Sequence, residues 1–200
     1  MALFEVQDFS YLVEMQGISK EVVQMHLKLY EGYVKQANLL DEELGRSTLS
    51  AAEYGALKRR YDWEYDGMRL HELYFGNLGG DGKLSPSSSL AKALAKQWGT
   101  LEAWKRDFIL TGSIRGIGWA ILYADRQTGK LSNVWVDDHH IGHPAGSAPI
   151  LVMDLFEHAY ITQYGLDRGA YINAFFSNLD WDAPLSRYDA VSASINPKKW

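Results

Sequence analysis

Val22, Val23, His26, Leu29, Tyr30, Tyr33, Val34, Ala37 and Leu40 fall mostly at spacings of three and four. That is the spacing of one helix face. Ser19 stands where an N-cap is wanted and Glu21 puts negative charge in the first turn, so a helix is expected from there to about Leu44. His26 lies on its apolar stripe, where a single histidine is more often a hydrogen-bonded core residue than a ligand. Ser50-Ala51-Ala52-Glu53 is a capping box. It opens a second long helix, with His71 near its far end and a C-terminal signal at Gly79-Gly80. The short loop from Gly45 to Leu49 makes the two helices an antiparallel hairpin. Met1 to Gly17 has no clear period and is expected as an extended arm.

The pattern changes after the hairpin. Asp81 to Ser89 is rich in Gly, Ser and Pro and marks a boundary between two lobes. Pro86 is expected to begin a helix through Trp98, and Thr100 to cap another to about Ile114. Trp119 to Ala124, Leu131 to Val136 and the apolar run Ile150 to Met153 read as three strands. A last helix is expected at about Tyr171 to Leu179, and Asp182 to Trp200, polar and with two prolines, as a surface tail. The fold class predicted is therefore α/β of the α+β kind: an N-terminal antiparallel helical hairpin, then a mixed lobe with a three-stranded antiparallel sheet and helices. The expected divisions are an arm and hairpin over 1–82, an α/β lobe over 83–182 and a tail over 183–200.

Composition narrows the function. Two hundred residues make one domain or two lobes on one core, and an apolar share of 46% is enough to fill it. There is no cysteine, which removes disulfides, thiolate ligands and thiol nucleophiles and suits a reducing cytoplasm. No run of 18 apolar residues is present, so no membrane span is expected, and Met1 to Ser10 lacks the basic and apolar regions of a signal peptide. A net charge of −5 ranks nucleic acid low among partners. Arg59, Arg60 and Arg69 do interleave with Tyr61, Trp63 and Tyr65, but Asp62, Glu64 and Asp66 share that helix and make it a solvated face.

Candidate chemistry gathers at Asp154, placed at a strand end, and His158, four residues on. A carboxylate and an imidazole so placed can face one point. An isolated D-x-x-x-H is nevertheless more often an ordinary strand with a helix behind it. His26 and His71, on paired helices, would complete three imidazoles and one carboxylate, a set that suits a redox metal such as iron or manganese. Spacing alone does not join these pieces. A denser group, Asp137, Asp138, His139, His140 and His143, is the competing metal reading.

The stretch Asp154-Leu155-Phe156-Glu157-His158-Ala159-Tyr160 resembles the C-terminal signature D-x-[W/F]-E-H-[A/S]-[Y/F] of iron/manganese superoxide dismutases. Leu70-His71-Glu72-Leu73-Tyr74-Phe75 is similar to the family's N-H-x-F-[F/Y]-W, and Gly116-Ile117-Gly118-Trp119-Ala120-Ile121-Leu122 to its G-S-G-W-x-W-L. Tyr164 to Tyr171, with Arg168 between, resembles Y-x-N-x-R-x-x-Y. The likeness runs in order over about 160 residues. It implies a metal centre of His26, His71, Asp154 and His158 with iron or manganese, one per chain, and superoxide as substrate. One superoxide is oxidised to dioxygen and a second is reduced to peroxide. Coupling each electron to a proton keeps the charge of the buried site constant. The alternative is a non-catalytic metal-binding scaffold, or partner-binding homologue, that keeps the ligands and has lost the proton path. A di-iron carboxylate protein is excluded, since it needs two E-x-x-H motifs and none is present.

The same resemblance gives His139 a role: it falls where the family places a Gln or His that hydrogen-bonds solvent on the metal. Gly67, where the iron-specific branch supplies its Gln, makes Gly67 with His139 similar to the archaeal and mycobacterial pattern. His140 and His143 are expected at the surface. Glu157 is expected to bridge to the ligand histidine of a second copy, giving a homodimer. The chain departs from the family after His26. H-x-x-x-H-H-x-x-Y-V becomes His26-Leu27-Lys28-Leu29-Tyr30-Glu31-Gly32-Tyr33-Val34, one residue short, so either Tyr30 or Tyr33 is the tyrosine of the substrate funnel. Phe75 and Phe156 replace common tryptophans and Ile161 a tyrosine. These changes touch proton delivery and access rather than ligation, and leave room for slow turnover.

Overall fold

A computed structural model describes residues 3–195. Two 25-residue helices, α1 (Lys20–Leu44) and α2 (Ala51–Phe75), form the hairpin. Both begin as their sequences dictate. The Ser19 side chain accepts from the Val22 amide, and Ser50 and Glu53 close a reciprocal capping box. The chain before α1 is not wholly extended: Ser10–Glu14 makes a 3-10 turn that buries Leu12.

Helix α2 stops at a Gly76 cap, three residues short of the expected Gly79-Gly80. Pairing with the other lobe outcompetes a further turn. Gly79 and Gly80 both donate to the Asn178 carbonyl, and Leu78 bridges Leu179. Gly80 is required by this close approach, because a Cβ there would lie 2.3 Å from the Leu179 oxygen.

The second lobe opens with α3 (Ser89–Trp98), capped by Ser88 rather than begun at Pro86, and α4 (Leu101–Gly112), capped by Thr100. Strands β1 (Gly118–Asp125), β2 (Leu131–Asp137) and β3 (Ser147–Asp154) follow in the order β2-β1-β3, all antiparallel. Buried on both sides, β1 reads as a continuous apolar run. Its register sets Trp119 opposite both Val136 and Asp154, which fixes an indole beside the carboxylate that ends β3. Two short elements follow, a 3-10 turn Glu157–Ala159 and α5 (Ile161–Tyr164), then α6 (Arg168–Ser177).

The expected surface tail is instead helix α7 (Asp182–Ser194) as far as the described residues reach; the rest of that stretch, 196–200, lies outside them. Pro184 and Val191 are buried, and Pro184 falls in the first turn, where a missing N–H costs nothing. Arg187 donates to the Asn77 side chain and to the Ile150 and Leu73 carbonyls, tying α7 to both lobes. One hydrophobic cluster runs through hairpin and sheet, from Val22 and Met68 to Ile121 and Phe175, and the candidate chemistry lies within it.

Candidate metal centre

Four elements deliver the four side chains. His26 comes from the second turn of α1, His71 from the last turns of α2, Asp154 from the end of β3 and His158 from the 3-10 turn after it. His26, His71 and Asp154 are buried and His158 is half-buried, with one ligand atom from each lying within 4.8 Å of the others. The Nε2 atoms of His158, His26 and His71 stand 3.0, 3.1 and 3.6 Å from a single oxygen, Asp154 Oδ2. The other carboxylate oxygen accepts from the Phe156 amide at 2.8 Å, and the Tyr171 hydroxyl donates to the Asp154 carbonyl at 2.8 Å. The strand end is thereby fixed with Oδ2 facing the three rings.

His71 tests whether this set fits a metal. Its Nδ1 lies 2.6 Å from the Gly67 carbonyl, which can only accept, so Nδ1 carries the proton. Nε2 then presents a lone pair, is buried, and has no hydrogen-bond partner among the described residues. A buried acceptor left so costs about 1–3 kcal/mol. A cation at the focus of the four side chains would satisfy it, and the Gly67 carbonyl stands where an outer partner would fix a ligating histidine's tautomer. Among the described residues no other group of three or more His, Cys, Asp or Glu side chains converges in this way.

The electrostatics suit a cation as well. Burial works to raise the Asp154 carboxyl, but the imidazoles of His158 and His26 outweigh it and hold the group well below the ordinary carboxylate range. Burial lowers His26 and, more strongly, His71, so both rings stay neutral and keep lone pairs for ligation.

His139 and Tyr33 lie against this group. The Trp119 indole donates to His139 Nδ1 at 3.2 Å, and the Tyr33 hydroxyl lies 2.7 Å from His139 Nε2. An indole only donates, so in the neutral ring Nε2 carries the proton and gives it to the Tyr33 oxygen, leaving the Tyr33 hydrogen free to donate in turn. Burial pushes His139 down to about 4, which keeps it neutral at ordinary pH. Tyr33 also stacks on His71, with ring centroids 5.0 Å apart, and its phenol is raised by burial. Gly67 makes this possible: a Cβ there would sit 2.7 Å from the Tyr33 ring and 3.2 Å from His139. Phe156 stacks on His139 and His158, while Phe75 packs edge-on to His26.

Tyr30 points elsewhere. Its hydroxyl donates to Glu72, accepts from the Gln7 amide and pins the N-terminal arm; burial pushes it up to about 12. The competing cluster does not form, because His139 turns inward. His143, expected at the surface, is half-buried between the Tyr123 hydroxyl and the His139 carbonyl. Glu157 is exposed beside His158. Sequence reasoning missed the functions of Trp119 and Gly67 in placing His139 and Tyr33, although both sit in motifs that marked the region.

Residues 86–187 match the sequence model of the C-terminal domain of iron/manganese superoxide dismutases. A manganese superoxide dismutase of Haloferax volcanii is 37% identical over 86% of this chain and 87% of its own length. An iron enzyme of Aquifex aeolicus is 34% identical over 100% of this chain and 98% of its own. One of Sulfolobus acidocaldarius, also named for iron, is 36% identical over 82% of each. With three imidazoles and a carboxylate converging between a helical hairpin and a three-stranded sheet, and relatives of this identity over most of its length, the chain belongs to the iron/manganese superoxide dismutase family.

Proposed function

We propose that the protein is a superoxide dismutase that uses iron or manganese, one per chain, held by His26, His71, Asp154 and His158. The observation that carries this is the buried Nε2 of His71, without a hydrogen-bond partner among the described residues and aimed with two other imidazoles at one carboxylate oxygen. The bound metal supplies a one-electron couple between two oxidation states. Two superoxide anions and two protons leave as dioxygen and hydrogen peroxide.

The chain's own residues do the rest. Asp154 sets the charge of the centre, and the neutral rings of His26 and His71 add none. Phe75, Phe156 and Trp119 exclude bulk water, so polar contacts inside act in a low dielectric. His139, locked as an Nε2–H donor by Trp119, holds the Tyr33 oxygen and turns the Tyr33 hydrogen outward. Tyr33 is thus the group that meets an incoming anion with a proton, and His139 is the group that sets its direction.

Glu157 is read as the link between two copies. It is exposed next to His158 and lines an open cavity with Ile117, Tyr160, Leu166 and Arg168. Leu166 is 95% exposed and Ile117 42%, an apolar face that a second copy would cover. Metal analysis together with superoxide consumption on one preparation tests the function. Near one metal per chain with catalytic consumption supports it; bound metal with no consumption leaves the scaffold reading.

A further inference from the structure

The loop that carries His139 is held in a conformation that needs support. Asp137 and Ile141 exchange both backbone hydrogen bonds, at 2.9 and 3.2 Å, and so close the loop on itself. Asp138, inside it, has φ of 51°, the left-handed region that side-chain-bearing residues seldom occupy. Such backbones persist where their surroundings over-determine them. His143 supplies that constraint. Its Nε2 lies 2.8 Å from the His139 carbonyl and its Nδ1 2.5 Å from the Tyr123 hydroxyl. The carbonyl can only accept, so Nε2 donates, and in the neutral ring Nδ1 accepts the Tyr123 proton. Both ring nitrogens are then occupied, which leaves His143 no lone pair for a metal.

Tyr123 stands on β1, the strand that also carries Trp119. One strand therefore grips His139 at two points, its ring through Trp119 and its main chain through Tyr123 and His143. Asp66 of α2 lies 3.9 Å from His143 Nε2. This brings in the helix that supplies His71 and Gly67. We propose that His143, backed by Tyr123, is a positioning residue for the metal centre, holding the His139 main chain so that the ring stays between Trp119 and Tyr33. The functional consequence rests on the dismutase reading; the positioning itself does not.

The test compares His143→Ala, His143→Gln and Tyr123→Phe in the full chain. Exchange of the Trp119 indole hydrogen is followed by NMR on protein loaded with zinc as a diamagnetic stand-in. Metal content and reduction potential are measured on iron-loaded protein. His143→Ala is expected to keep the wild-type metal content, to speed indole exchange about tenfold, the worth of one ordinary hydrogen bond, and to shift the potential. His143→Gln, whose amide reaches the same carbonyl, restores both, and Tyr123→Phe moves both in the direction of His143→Ala. A merely structural role would lower the melting temperature of His143→Ala without moving the potential. Unchanged exchange and potential in a folded His143→Ala overturn the proposal; should that variant fail to fold, wild-type values in Tyr123→Phe do so. A wild-type chain that consumes no superoxide defeats the dismutase reading and leaves the exchange result to judge the positioning, on metal-free chain if none binds.

Discussion

His71 shows how a single residue is prepared for its work. Its Nδ1–H is spent on the carbonyl one turn back, so the lone pair that remains has one direction to face. His71→Ala is expected to reduce metal from near one per chain to a small fraction, and to abolish the rise in melting temperature that added metal gives the parent chain, because metal bound only by the folded state stabilises it. Metal analysis and thermal scans with and without metal read both; full occupancy in the variant contradicts the assignment. Gly67→Ala makes a different point. Its Cβ would lie 2.7 Å from the Tyr33 ring. The ring must give, at a cost of about 1–3 kcal/mol, while all four ligand side chains remain. The expected result is a lower denaturation midpoint and altered activity per metal at unchanged metal content. At this scale the sequence carried the identity of His26, His71, Asp154 and His158 as a set only through the family motifs, since the positions are far apart in the chain. It left Tyr30 and Tyr33 as alternatives, because the segment after His26 is one residue shorter than the family pattern and the two ways of counting give different tyrosines. The geometry distinguishes them through partners that counting does not reveal, His139 for one and Glu72 with the arm for the other.

Elements were legible where a local signal fixes them. Ser19, Ser50 and Thr100 cap the helices expected of them, and the strands lie where alternating or continuous apolar runs placed them. Helix α7 was not legible. Its apolar stripe is short, Pro184, Tyr188 and Val191 at spacings of four and three, and is diluted by serine and aspartate. What holds it is tertiary: Arg187, lowered to about 10 by burial, reaches three groups on Asn77, Leu73 and Ile150. Arg187→Ala strips donors from those partners and is expected to cost about 2–3 kcal/mol, read as a fall in the denaturant midpoint. A change within experimental error would mean that α7 is held by packing alone. The α2 terminus failed for the converse reason. Gly79-Gly80 looked like a helix stop but serves a backbone contact between lobes, which no local window contains.

At the scale of the whole molecule, the centre ties stability to pH. His139 is held at about 4 by burial, against about 6.5 in an unfolded chain. Between these values the unfolded state binds more protons, so stability is full above about pH 6.5 and falls as pH drops towards 4. His26 and His71, lowered by burial, act in the same sense, and Asp154, held low by its imidazoles, adds a further loss only below the ordinary carboxylate range. Metal-free protein should lose denaturation free energy as acid is added through this window. His139→Gln should flatten the profile; an unchanged slope would mean that His139 is not buried as described. Assembly belongs to this scale as well. Glu157→Ala is expected to weaken self-association and metal retention together, measured by sedimentation at micromolar protein beside metal analysis. A wild-type chain that sediments as a monomer removes that role.

If the four converging side chains hold a metal that dismutes superoxide, metal content and turnover must rise and fall together. The most direct measurement loads the purified full chain separately with iron and with manganese, counts metal per chain, and follows superoxide consumption per bound metal against a His71→Ala control. Near one metal per chain, with catalytic consumption by at least one of the two forms and none by the control, is the expected result. A chain that holds a full complement of both metals in turn, yet consumes superoxide no faster than the control, would contradict it.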